Sequence, residues 1–361
     1  MNLSDELKAF LETLSRFREK ELEPQVLEWE ENFTPIPQSV LASAQQIGLF
    51  NFWLAPAPEE KALLEGRLAQ ALVIKELARS SPDLAWLVAL QILASVIWLH
   101  LPESARESLR KEICFSENSP VLFSLGIWEP GVRSLNEIQS QLDSAFRLKI
   151  YKHLVPIFEQ ASRVIFLVKD QEGKLRFVVL DKSQLGSLNS KPQGVLGIRL
   201  CPRYEVQADA QISQQELVEG AFDSLFPELQ KIHSLLNSAL LLGIGEACYQ
   251  RAFDYAQERY QGGKIIVQHQ VIFDLLEKMK ARKETLSQAL YYACQNPDLE
   301  LNDWLNLRQQ ITQECIDLAL DGVQTLGGYG YMLDYGQEKR LRDITTLAHL
   351  EFAFGWEKVV S

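Results

Sequence analysis

Near its C-terminus the chain reads Asp321-Gly-Val-Gln324-Thr-Leu-Gly327-Gly328-Tyr-Gly-Tyr331-Met-Leu-Asp334-Tyr-Gly-Gln-Glu338-Lys-Arg-Leu-Arg-Asp343, and runs on through Leu350 to Glu351. Gly327 and Gly328 interrupt a helical pattern that begins before Ile311. Glycine gives φ freedom and lets a ligand approach the backbone closely. Gln324, one turn upstream, can both donate and accept hydrogen bonds. After Asp343 a second helical run carries Glu351 among Leu347, Leu350, Phe352 and Phe354. A carboxylate is costly there if it is buried and ionised. Each piece has a purely local reading: the glycine pair as a helix C-cap, Glu351 on the wet side of its helix.

The chain has 361 residues and a net charge of −12, with no block of Lys or Arg. Length suggests two or three packed units, and charge disfavours nucleic acid as a partner. The five cysteines are scattered, in neither a metal nor a disulfide pattern, which fits a reducing compartment. The first residues are charged and lack an apolar signal core, so a cytoplasmic location is expected.

Leu3, Leu7, Phe10, Leu11, Leu14 and Phe17 recur at helical spacing behind Ser4 or Asp5 as N-cap. Further helices are expected over about Pro37 to Gln46 and Glu59 to Arg79. Pro82-Asp83 opens an apolar run, Leu84 to Leu101, that contains no formally charged residue. About 20 apolar residues can span a bilayer. Gln91, Ser95 and His100 interrupt this run and no basic flank marks it, so a buried core helix is the better reading. From Pro120 the pattern turns to short β-prone runs, Val121–Leu125, Val164–Val168 and Phe177–Leu180, separated by turns such as Asp170 to Gly173. Helical period returns from Gln215. One helix ends at Arg259, the next runs to about Gln295, and long helices with short joins suggest a four-helix bundle.

The C-terminal stretch resembles the signature of the acyl-CoA dehydrogenases. That family reads Gln-x-x-Gly-Gly-x-Gly-Tyr, then an acidic residue and Tyr, then Glu-Arg-x-x-Arg-Asp, with its catalytic glutamate eight residues beyond. Asp343 and Glu351 keep that interval. Arg259, Gly263 and Gln270 resemble a second family motif, and Glu129-Pro130-Gly131 with Ser134 matches its Thr-Glu-Pro-Gly-x-Gly-Ser-Asp loop. Leu196-Gly197-Ile198-Arg199 matches its Leu-Gly-x-Arg turn.

The resemblance implies a mainly α fold with a central β-barrel domain: a helical domain over 1–119, the β domain over 120–212 and a four-helix bundle over 213–361. It also implies FAD. Arg259, Gln270, Gln324, Gly327 and Gly328 would approach a flavin dinucleotide held mainly by a neighbouring subunit, whereas Glu129, Pro130, Gly131 and Ser134 would bind within the subunit. Glu351 would take the proton α to a thioester carbonyl of an acyl-CoA or acyl-carrier-protein substrate. A homodimer or homotetramer, with an electron-transferring partner, would follow.

The departures are as informative. The family's Trp-x-Thr/Ser beside the flavin becomes Leu154-Val155-Pro156, Trp128 replaces the Thr before Glu-Pro-Gly, and Phe352-Ala353 replaces Gly-Thr. The place of an alternative base, near His233, holds no carboxylate, and Ser234 stands where an arginine often contacts coenzyme A. These losses raise a second reading, a silent or half-site subunit of a heteromeric dehydrogenase that completes a partner's FAD site. A third is a flavin oxidase or monooxygenase on the same fold.

Overall fold

The computed structural model describes residues 3–54, 60–116, 119–132 and 134–349; Arg133 and Glu351 lie outside the described residues. Six helices come first: α1 (Asp5–Phe17), α2 (Val26–Glu31), α3 (Gln38–Gln46), α4 (Glu60–Ala78), α5 (Pro82–Trp98) and α6 (Glu103–Phe115). Ser4 caps α1 by accepting from the Leu7 N–H, as its sequence suggests. α5 is the uncharged apolar run. Ser81 caps it, Pro82 opens it, and it is buried nearly throughout. Its polar residues have local partners. Gln91 exchanges two hydrogen bonds with the backbone of Phe123, and Ser95 donates to the Ile92 carbonyl. Among the described residues no helix is long and apolar enough to cross a membrane.

A seven-stranded mixed sheet follows: β1 (Phe123–Gly126), β2 (Gln141–Leu142), β3 (Arg147–Pro156), β4 (Arg163–Lys169), β5 (Leu175–Asp181), β6 (Gly186–Gln193) and β7 (Arg203–Gln211), in the order β1-β4-β2-β3-β7-β6 with β5 on β4. The pairing does not close on itself among the described residues. Strand side chains alternate between faces. On β4, Val164, Phe166 and Val168 therefore fill a core internal to the β region, and Ile165 and Leu167 join the main core shared with the helices.

Helical structure resumes later than the period suggests. Gln214–Glu216 is a capped 3-10 turn and Leu217 bridges to Val178, so α7 begins at Phe222 and runs to Glu258. A hairpin of β8 (Tyr260–Gln261) and β9 (Lys264–Ile265) joins it to α8 (Gln270–Gln295), then α9 (Leu301–Leu326) and α10 (Gln337–His349). α10 starts six residues before Asp343, where a helix only after that residue was expected. α7 lies at the centre and packs against α4, α5, α8, α9 and α10.

Candidate functional site

α7 and α9 end side by side, and their ends wall a cleft of about 700 Å³. Arg259 is the C-cap of α7 and Gly327, at φ 57°, the C-cap of α9. That φ costs an L side chain energy that glycine avoids. The Gly327–Tyr331 turn folds back on α9 so tightly that a Cβ at Gly330 would lie 2.6 Å from the Val323 carbonyl oxygen. The opposite wall is the β8–β9 hairpin. The Arg259 backbone carbonyl accepts from the Ile266 N–H across it at 2.8 Å, and His269 Nε2 lies 2.9 Å from the Gln261 carbonyl.

Four residues singled out from sequence meet in this cleft: Arg259, Gln324, Gly327 and Gly328. Tyr255, Tyr329 and His269 join them, and the motif reading missed these. Of these, only Tyr255 left a sign in the sequence, its four-residue spacing from Arg259. Tyr329 lies 5.3 Å below the Arg259 guanidinium, and the Tyr255, Tyr329 and Tyr335 rings pack together at 5.2–6.1 Å. Burial pushes the Tyr255 phenol up in pKa, against the lowering pull of Arg259.

The electrostatics rest on Arg259. The C-termini of α7 and α9 carry negative partial charge, and the N-terminus of α8 carries positive. Among the described residues Arg259 makes no ion pair, and its buried Nε has no hydrogen-bond partner. A Cβ added at Gly327 or Gly328 would meet nothing within 4 Å, so their backbone faces open space. An orphaned guanidinium donor, open backbone and an amide side chain suit the pyrophosphate of a dinucleotide.

The other sequence-selected residues are placed elsewhere. Gln270 opens α8 and donates to Asp274, outside the cleft lining. Glu129 is a buried strut in the β region. Its carboxylate accepts from Lys152 Nζ at 2.6 Å and from the N–H groups of Gln139 and Ser140. Burial would push this carboxyl up, but Lys152 and the N–H donors outweigh it and its pKa is lowered. Lys152 is itself lowered to about 8, by burial first and against the raising pull of Glu129. The Glu129 carboxylate is thus engaged inside the protein. Pro130 and Gly131 follow it, Gly131 exposed, and Ser134 precedes the Leu135–Glu137 turn without capping it through its side chain.

At the positions expected beside a flavin, Leu154 sits at φ 54° in a bulge of β3 and its N–H donates to Gln193 Oε1 at 2.8 Å. The Pro156 carbonyl accepts from Ser124 at 2.6 Å. His233 is buried, and burial first, with Arg308 adding, holds its pKa well below the usual range.

Comparison with known proteins agrees with this architecture. The model of the acyl-CoA dehydrogenase N-terminal domain matches residues 4–114, and that of the C-terminal domain matches 233–351. Benzylmalonyl-CoA dehydrogenase of Aromatoleum aromaticum is 23% identical over 95% of this chain and 93% of its own. Among solved structures, butyryl-CoA dehydrogenase from Megasphaera elsdenii superposes with TM-score 0.85 at 19% identity, over 96% of this chain and 94% of that one. An FAD complex of PigA gives TM-score 0.82 at 20% identity, over 96% and 94%. The chain belongs to the acyl-CoA dehydrogenase family, and with it to the oxidoreductases that act on CH–CH bonds.

Proposed function

We propose that the protein desaturates an acyl thioester between its α and β carbons, using FAD. The observation that carries this is the cleft in which Arg259, Gln324 and the Gly327-Gly328 backbone converge, with no ion pair for the guanidinium and no hydrogen-bond partner for its Nε among the described residues. Arg259 holds the dinucleotide pyrophosphate, Gln324 and the two glycines contact it closely, and Tyr329 braces the guanidinium from below. Two or more copies of the chain assemble through the C-terminal bundle, so that each cleft completes a dinucleotide site begun on its neighbour. Within the subunit, the Pro130-Gly131 backbone and Ser134 take the other part of that site. When bound, FAD supplies the hydride acceptor. Glu351 takes the α proton of a thioester of coenzyme A or of a carrier protein; apolar neighbours in sequence suit a base whose basicity desolvation raises.

A second reading is supported by one observation. The Leu154 N–H and the Pro156 carbonyl are taken up inside the protein, so this segment offers fewer polar groups to a flavin of its own. A subunit that lends its cleft to a different dehydrogenase chain needs no more than this. Flavin content of the purified chain separates the two readings. The dehydrogenase reading expects bound FAD that Arg259→Gln loses, with affinity down at least about tenfold for a lost charged hydrogen bond. A parent chain that binds no FAD alone and recovers it only with a second dehydrogenase chain would favour the half-site subunit.

A further inference from the structure

A second cleft, of about 310 Å³, lies where the N-terminal helices meet the bundle. Arg251 of α7 and Arg340 of α10 line it, with Ser80 from the turn before α5 and Gly336 at the head of α10. Neither arginine makes an ion pair among the described residues. Arg251 lies with its guanidinium 5.0 Å from the Tyr335 ring centre. Arg340 makes two long contacts from one nitrogen, 3.5 Å to the Tyr335 carbonyl and 3.4 Å to Gln337 Oε1.

The neighbouring charges are mostly engaged elsewhere. Arg79 pairs with Glu76, Lys339 with Asp83 and Asp343, and Glu23 with Arg18 while accepting from Ser80. Asp334 stands exposed on the rim. The Arg340 pKa is lowered, by burial first, with the like charge of Arg251 adding to it against the raising pull of Asp343 and Glu23. Two guanidiniums that make no direct ion pair among the described residues therefore share one small cleft with the carboxylates of Glu23, Asp334 and Asp343, and the first N–H groups of α10, which have no partner within the helix, start beside them.

We propose that this cleft binds a compact oxyanion of the phosphate class between Arg251 and Arg340. A guanidinium offers planar donors that match phosphate oxygens, and two of them balance a dianion. The positive end of α10 adds to the attraction. The cleft volume suits phosphate or a small phosphomonoester, and Asp334 on the rim repels longer polyanions. This site is separate from the dinucleotide cleft. Tyr335 stands between them, with Arg251 on one side and Tyr329 5.2 Å away on the other.

The test uses the full chain in excess FAD, so that the cleft at Arg259 does not take the probe, with inorganic phosphate as the probe. Calorimetric titration and thermal unfolding are run against chloride at equal ionic strength. The expected result is saturable phosphate binding, competed by sulfate, with a rise in Tm beyond that in chloride. Arg251→Gln should weaken it at least about tenfold, as loss of a charged hydrogen bond implies. Arg259→Gln, in the other cleft, should leave it unchanged. Arg340→Gln should act like Arg251→Gln; if it does not fold, the half-buried Arg251 carries the test alone. Glycerol phosphate binding tighter than inorganic phosphate would identify the ligand as an ester, and the reverse order as the free ion. Phosphate acting no differently from chloride, equal binding by Arg251→Gln and the parent, or loss of binding in Arg259→Gln would each overturn the proposal.

Discussion

At the residue scale, the Glu129–Lys152 pair shows a motif residue engaged inside the fold. Lys152 is fully buried and Glu129 nearly so. Removing one partner of a buried pair leaves the other uncompensated, at a cost of about 3–5 kcal/mol. Lys152→Met should therefore lower stability by roughly that amount, and Lys152→Met with Glu129→Gln should recover much of it. Denaturant midpoints for the two single variants and the double variant measure this. A double variant no better than Lys152→Met would show that the pair is not the unit. The pairing was invisible in the sequence because Lys152 lies 23 residues beyond Glu129, and contact comes only when β3 folds past the end of β1. Arg259, Gln324 and the glycine pair were legible because each sits at a helix end, where local chemistry and spacing are the same thing. Tyr329 and Tyr335 were not, since stacking beneath a distant arginine leaves no local trace.

At the scale of elements, α10 fastens three parts of the chain together. Lys339 Nζ lies 2.9 Å from Asp83 Oδ2 of α5 and 2.6 Å from Asp343 Oδ2. The same two carboxylates accept from the Leu200 and Ile198 N–H groups of the turn before β7, at 2.9 and 2.7 Å. This turn is the Leu-Gly-x-Arg match found in the sequence, and its partners explain its position. Asp343 is pushed up to about 6, by burial first and with Asp83 and Glu30 adding, against the pull of Lys339. An unfolded aspartate titrates near 3.9. Between about pH 4 and about pH 6 the folded chain holds a proton that the unfolded chain releases. The contribution of this group is thus full below that window, falls as pH rises through it, and is level above. Asp343→Asn should remove this slope from a plot of unfolding free energy against pH; an unchanged slope would place the titration elsewhere. Lys339→Met strands both carboxylates and should cost about 3–5 kcal/mol near neutral pH, less in acid, where protonation relieves the buried charge. Helices as uniform as α5 were legible from composition alone. β6 was not: its sequence lacks alternation because it is an exposed edge strand with no face to bury.

At the scale of the whole molecule, the order of helices, sheet and helices could be read in advance, because hydrophobic period changes where the architecture does. The sheet order could not, since β1 pairs with β4 across a long stretch of chain. Beside the cleft at Arg259 three consecutive side chains lie exposed: Tyr331, Met332 and Leu333 are 72%, 52% and 53% exposed. We expect this surface to be covered by a second copy. Met332→Glu with Leu333→Glu should shift the chain toward monomer in light scattering and lower its FAD content in the same step. A parent chain monomeric at micromolar concentration would contradict the shared site. The central claim, acyl thioester desaturation with Glu351 as base, is tested most directly by anaerobic mixing of the flavin-loaded protein with acyl thioesters of several chain lengths, on coenzyme A and on carrier protein. The account predicts bleaching of the flavin absorption by the parent. It also predicts a rate lower by about 10²–10⁴ in Glu351→Gln at unchanged flavin content, because glutamine keeps the size but cannot accept the proton. Equal bleaching by both proteins would remove Glu351 as the base, and no bleaching of the parent by any thioester would contradict the desaturase itself.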